Sequence, residues 1–391
     1  MMKTILSVVL SAVLAHAAIA SQPLIEQLDV FVSGTEGYHT FRIPTLVVSN
    51  RGTVLAICEG RKDSRQDLSN VHLMVKRSSD SGKTWGPLQL IYKEEGGEKD
   101  VTCGNPSPVV DEETGDVHLI FCRDRDRVFV TISSDDGHTW TPPREITSSV
   151  RKPDYDLYWS GPGHGIQLKQ GPDAGRLLIP CHQHRIRPTK GFRAHMLYSD
   201  DHGKTWQLGE NVPLAKDATA DANGELYGGS ECAVVEVGPG EVYLNTRCST
   251  YATNHDRRQM TRSYDGGLTW EPLQDDAALV SPNCHGNVVG DPQRNLVLFC
   301  NPANGPIPDW DHGRIQMTVR GSYDGGRSWP AHQMLHAGAS SYADLAVATD
   351  GTILCLYEGG REHRREWLRL ARFQLEWLDA GRKPTGESDA E

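Results

Sequence analysis

The chain has 391 residues and nine cysteines but no Cys-x-x-Cys pair, so the usual ligand spacing of a zinc site is missing. The odd count leaves at least one thiol free or paired between chains. Cys58, Cys122 and Cys300 sit inside apolar runs, where cysteine serves as a small hydrophobe. Basic residues are also short: 40 Lys and Arg stand against 51 Asp and Glu, a formal charge of −11, which argues against nucleic acid as a partner. Beyond residue 20 no apolar stretch is long enough to span a bilayer, which excludes a transmembrane helix there. No amphipathic helix of three turns precedes the C-terminal segment, so the chain reads as all-β. Finally, no Asn-x-Ser/Thr acceptor occurs, which suits a bacterial periplasmic or extracellular protein better than a lysosomal one.

Residues 1–20 have the pattern of a secretory signal peptide: Lys3, the apolar stretch Ile5 to Leu14, and the small-residue cleavage site Ala18-Ile19-Ala20. The expected mature domain runs over 21–380, with no linker or composition break inside it, followed by a polar tail at 381–391.

Against these absences stands a motif repeated five times, Ser-x-Asp-x-Gly-x-(Thr/Ser)-Trp, at Ser78–Trp85, Ser133–Trp140, Ser199–Trp206, Ser263–Trp270 and Ser322–Trp329. Its aspartates (Asp80, Asp135, Asp201, Asp265, Asp324) lie roughly 55 to 66 residues apart, the mark of a propeller or another repeat architecture. Asp and Ser bond the backbone ahead of them, Gly supplies a positive φ, and Trp buries its ring beneath the turn. A calcium loop would need further acidic ligands and a closing Glu, which every copy lacks. Short β-branched runs separate the turns, among them Thr45–Val48, Val71–Val75, Val117–Phe121, Val242–Leu244, Ile315–Val319 and Thr352–Tyr357. Arg361–Leu378 fits both a helical and a strand period, and a strand is the preferred reading. Five motif-bearing units and one without the motif give about 62 residues each, which predicts a six-bladed β-propeller of four-stranded antiparallel blades. The C-terminal strands and the first mature strand would together form the sixth blade.

Polar residues in apolar strands are then the informative ones. Arg42 lies in Phe41-Arg42-Ile43-Pro44, Arg247 ends the run from Glu241, and Arg314 opens the run to Val319. Three guanidiniums from equivalent strand ends would converge on the ring axis, and planar donor forks of that kind match a carboxylate.

With these residues the chain resembles the exo-α-sialidases (neuraminidases) of the bacterial and mammalian type. The repeats are similar to that family's Asp boxes, and Phe-Arg-Ile-Pro to its N-terminal signature. Gly104-Asn105-Pro106-Ser107-Pro108, Ser340-Ser341-Tyr342-Ala343-Asp344 and Leu356-Tyr357-Glu358 extend the likeness over the mature chain. The resemblance implies that Arg42, Arg247 and Arg314 grip a sialic acid carboxylate, that Glu358 orients Arg42, and that Arg61 faces the sugar near O4. It implies Tyr342 as nucleophile with Glu231 as its base, and Asp67 as the acid/base, with Asp63 a competitor for that role. His72 and His285 stand where the family often has other residues; His285 either touches sugar or packs.

A carboxylate nucleophile would be repelled by the carboxylate that sialic acid carries on its anomeric carbon, whereas a tyrosine arrives neutral; sialidases are the named tyrosine exception among glycosidases. A phenol of pKa near 10 needs a base, with the arginine field expected to favour the phenolate. Two displacements at one carbon retain configuration. The implied activity is that of a retaining exo-α-sialidase acting on sialylated glycans, glycoproteins or glycolipids, without metal or organic cofactor. A trans-sialidase, intramolecular or not, and a non-catalytic sialic-acid-binding propeller are the alternatives. The pairing of Tyr342 with Glu231 weighs against the last, since a lectin has no use for it.

Overall fold

In the computed structural model the described residues are 25–94, 100–185, 190–218, 220, 226, 228–248, 256–305 and 313–382. The segment read as a signal peptide lies outside them, as does the tail beyond Arg382. Regular structure is almost entirely antiparallel strand. The first sheet comprises Thr40–Val48, Val54–Arg61, Val71–Ser78 and Gln89–Tyr92; the second Cys103–Val110, Val117–Arg123, Arg127–Ser133 and Arg144–Glu145. The third is built on Leu157–Ser160, Leu177–Arg185, Gly191–Ser199 and Gln207–Leu208, and the fourth on Gly229–Gly238, Glu241–Cys248, Arg257–Ser263 and Gln274–Val280. The rest form a seven-stranded sheet in which the long strand Ala331–Val347 changes partner midway. Its first half pairs with Ile315–Ser322 and its second with Ile353–Gly359.

The central strands are apolar without a break because both of their faces are covered. Val54–Arg61 and Ile353–Gly359 are buried at every position, and each large aliphatic side chain buried this way contributes about 1.5–3 kcal/mol. Leu55 and Ile57 pack on Val117, Leu119 and Phe121 of the second sheet. Ile120 and Cys122 pack on Ile179 and Cys181 of the third, and Leu178 on Val234 and Leu244 of the fourth. Val235 meets Val288 and Phe299, and Leu298 meets Leu345 and Cys355. Finally Leu354, Leu356 and Leu370 return to Val54, Ala56 and Cys58 of the first sheet. Successive sheets therefore stack face to face in a closed circuit, the packing of a β-propeller. Glu26–Val32 closes it by pairing with Trp367–Phe373, from Glu26 opposite Arg372 to Val32 opposite Trp367. The ambiguous C-terminal segment resolves into the strand Trp367–Phe373 followed by the short helix Leu375–Asp379, so both periods were present because the two elements abut.

The repeated turn satisfies itself. Ser78 Oγ donates to Asp80 Oδ1 at 2.7 Å, the Gly82 amide donates to Ser78 Oγ at 2.9 Å, and the amide and hydroxyl of Thr84 donate to the two Asp80 oxygens at 2.9 and 2.7 Å. The other four copies repeat this set. Every aspartate oxygen thus already has a donor from within the turn. The glycine is required twice over: φ is +76° at Gly137, and a Cβ there would stand 2.4 Å from Leu55 of the first sheet. Gly82 approaches Leu370, Gly203 His118, Gly267 Leu178 and Gly326 Tyr243 in the same manner. Each turn therefore docks on the sheet before it in the ring.

The eight cysteines whose side chains are described are buried and free. Among the described residues no helix is long and apolar enough to cross a membrane.

Candidate active site

In the first sheet Arg42 is paired with Glu59 at one end, while Val48, Val54 and Ser78 share the other. Six residues of strand, about 20 Å, separate them. Arg247 and Arg314 likewise lie at the ends of their sheets opposite Ser263 and Ser322. The arginine ends of the inner strands are irregular. Register shifts occur between Arg42 and Thr45, Gly104 and Ser107, Gly229 and Cys232, Ile315 and Met317, and Ser340 and Ala343. Three non-glycine residues in these bulges, Ile43, Asn105 and Gln316, have φ of 56°, 55° and 64°. Such a bulge re-aims the side chains beside it and stores strain, most clearly at β-branched Ile43. The Ile43 amide is turned to donate to Glu358 Oε1 at 3.0 Å.

These strand ends surround a cavity of about 510 Å³. Arg42, Arg61, Asp67, Glu231, Arg247, Arg314 and Tyr342 all line it, and Glu358 is fully buried behind Arg42. Tyr342 forms the meeting point. The Arg42 guanidinium carbon lies 5.0 Å from its ring centroid and that of Arg314 5.8 Å. Arg247 Nη1 donates to the Tyr342 hydroxyl at 3.3 Å, and the hydroxyl donates to Glu231.

The guanidiniums are buried and held by named partners. Arg42 makes a two-pronged contact with Glu358, at 3.0 and 3.3 Å. Arg247 Nη1 pairs with Glu231 Oε2 at 2.8 Å, and Arg314 Nη2 donates to the Asn283 carbonyl at 2.8 Å. Arg61 binds Glu59 Oε2 through Nη2 at 2.7 Å and Nε at 3.0 Å. Such pairing and hydrogen bonding offset the desolvation of a buried cation.

Asp67 sits on the loop after Val54–Arg61, where its Oδ1 accepts from Arg61 Nη1 at 2.7 Å and Arg42 Nη1 at 3.1 Å. Asp63 is exposed, accepts from Asn70 at 3.4 Å and does not line the cavity. His285 is buried behind the tyrosine, its ring 5.3 Å from that of Tyr342 and its Nε2 3.0 Å from the Pro162 carbonyl; it packs, and does not line the cavity. His72 bonds Tyr38 and Asn70.

Asp67 stands at the cavity mouth with its side chain 54% exposed, and though partial desolvation raises its carboxyl, Arg42 and Arg61 overcome this and hold the group well below the ordinary carboxylate range. Burial also opposes ionisation of Glu231, and Arg247 outweighs it, leaving a pKa of about 2. At Tyr342 the balance differs from the sequence expectation. The three arginines do favour phenolate, yet burial and the Glu231 charge are larger, so the phenol is pushed above its usual value.

Sequence reasoning missed several residues here. Glu59 holds Arg61 and accepts from the Asn105 amide at 2.9 Å; its signal was the same as that of Arg42, a charge inside an apolar strand. Trp159 stacks on His182, with centroids 4.8 Å apart and planes 6° from parallel, and with Phe192 it makes an aromatic wall. Arg125 lies over Trp159 and 3.7 Å from Asp67 Oδ2. Arg364 and Arg365 enter from the loop before Trp367. No local pattern marked these aromatic and loop residues. Among the described residues no cluster of three or more His, Cys, Asp or Glu side chains is placed to hold a metal ion.

A BNR repeat-like domain model matches residues 52–355. The chain is 31% identical to a sialidase of Micromonospora viridifaciens over 91% of its own length and 55% of that protein's. It is 29% identical to a sialidase of Bacteroides fragilis over 85% and 62% of the respective lengths, so it spans less than two thirds of both relatives. The solved structure of the Hadza microbial sialidase Hz136 superposes with a TM-score of 0.76 at 26% identity, covering 90% of this chain and 69% of that one. With the repeat model spanning most of its length, the chain belongs to the BNR-repeat family and, within it, to the sialidases.

Proposed function

We propose that this protein is a retaining exo-α-sialidase that releases terminal sialic acid from glycoconjugates, on a ring of six four-stranded blades in which Ala331–Val347 serves two neighbouring blades. The observation that carries the reading is the convergence of Arg42, Arg247 and Arg314 on Tyr342, whose hydroxyl bonds Glu231. In this reading the three arginines take the substrate carboxylate and Glu358 holds Arg42 in place. Tyr342 attacks the anomeric carbon while its proton passes to Glu231. A base of pKa about 2 draws that proton only as the new C–O bond forms, so the two events are concerted. Asp67 protonates the leaving oxygen and then activates water. For it to donate, the substrate carboxylate must take over the Arg42 contact that now holds it ionised. A cavity of about 510 Å³ supports recognition of one terminal sugar. The leader-like residues 1–20 support export, which would present the enzyme to sialylated glycoproteins and glycolipids. Proton NMR of the protein with α2,3- and α2,6-sialyllactose tests the reading. Free sialic acid appearing first as its α-anomer is expected; the β-anomer first, or an anhydro product, would overturn it.

A further inference from the structure

Arg365 differs from three of the guanidiniums around the cavity. Arg42, Arg61 and Arg247 each face a carboxylate within 3.1 Å. Among the described residues Arg365 makes a single guanidinium hydrogen bond, 3.4 Å to the Arg65 carbonyl, and its Nε is buried with no hydrogen-bond partner there. Its pKa is pushed down to about 10 by burial and by neighbouring Arg42, with Glu358 offsetting them only in part, so at neutral pH it is still a cation. A half-buried cation with more like than opposite charge around it gains from an anion brought from outside. The three arginines around Tyr342 are matched to the sialic acid carboxylate. Arg365 instead borders the loop that carries Asp67, and the group leaving the anomeric carbon departs past Asp67.

Building on the proposed sialidase reaction, we infer that Arg365 forms a second anion subsite on the leaving-group side of the cavity, selecting sialosides whose adjoining sugar bears its own negative charge. The charge is a carboxylate, where that sugar is another sialic acid, or a sulfate ester. The test compares kcat/KM of wild type, Arg365→Gln and Arg365→Lys on α2,3-sialyllactose, α2,8-disialyllactose and a 6-sulfated α2,3-sialyllactose, at low and high ionic strength. Wild type is expected to favour one dianionic substrate by about tenfold at low salt, with the advantage shrinking as salt rises. R365Q should lose that advantage while keeping its rate on the monoanion within about twofold, and R365K should recover part of it. The substrate that gains tells carboxylate from sulfate. Equal substrate ratios in wild type and R365Q, or an equal loss on all three substrates, would overturn the inference. If wild type hydrolyses none of the three, the functional reading fails by itself; calorimetric affinities of the same compounds for wild type and R365Q then decide the subsite, equal affinities sinking it.

Discussion

The two ends of each sheet are built on opposite rules. At one end five copies of the same turn satisfy their own hydrogen bonds and seat a glycine on the preceding sheet. At the other, bulges break the strand register, residues such as Ile43 take up left-handed φ, and Arg42, Glu231, Arg314 and Tyr342 each come from a different stretch of chain. Repetition stabilises the ring, and individuality is kept to where the chemistry would occur; left-handed φ is found at both ends, at Ser81, Asp136 and His202 of the turns as well as at Ile43, where β-branching makes it costlier. The half of the seven-stranded sheet that has no turn of its own, formed by Ile353–Gly359, Trp367–Phe373 and Glu26–Val32, shows what the motif is for. There the helix Leu375–Asp379 does the docking, with Leu378 against Gly321 and the Tyr323 hydroxyl bonded to Asp379.

If that division holds, substitutions at the cavity end should cost activity and those at the turn end stability. Tyr342→Phe should lower kcat on a fluorogenic sialoside by roughly 10⁴-fold or more with unchanged circular dichroism; near-normal turnover would remove Tyr342 as nucleophile. Asp67→Ala should slow a substrate with a poor leaving group by about 10²–10⁴-fold and an activated aryl sialoside far less. Asp63→Ala should leave both rates within about twofold, and the reverse pattern would reassign the acid. At the turn end, Gly137→Ala forces a Cβ onto Leu55 and should lower unfolding free energy by about 1–3 kcal/mol with kcat/KM unchanged; denaturant melts that overlay wild type would count against the docking role.

The smallest effect is a pH dependence that joins the two ends. Glu231 has a folded pKa of about 2, below its ordinary value of 4.5. Its contribution to stability is therefore complete above about pH 4.5 and is lost as pH falls towards 2. The gap in melting temperature between wild type and Glu231→Gln should narrow over that window, and a constant gap would show that Arg247 does not hold the carboxylate ionised.

The repeated end was readable because a turn that satisfies itself leaves its whole logic in eight consecutive residues. Arg42, Arg247 and Arg314 stood out because a guanidinium inside an apolar strand demands a reason, and Glu59 could have been found by the same argument. Trp159, Arg125 and Arg365 were beyond reach, since they sit on ordinary strand ends and loops and meet only when distant sheets are brought round the axis. The tyrosine's acidity was misjudged because sequence names the charges around a group but does not weigh them against lost water.

The strand Glu26–Val32 has its partner far along the chain, in Trp367–Phe373. Glu26–Val32 therefore keeps a bare β-edge until Trp367–Phe373 has been made, and that one strand seals both it and Ile353–Gly359. A chain cut before Trp367 would lack that strand altogether, leaving the edges of Glu26–Val32 and Ile353–Gly359 open to pairing with other chains.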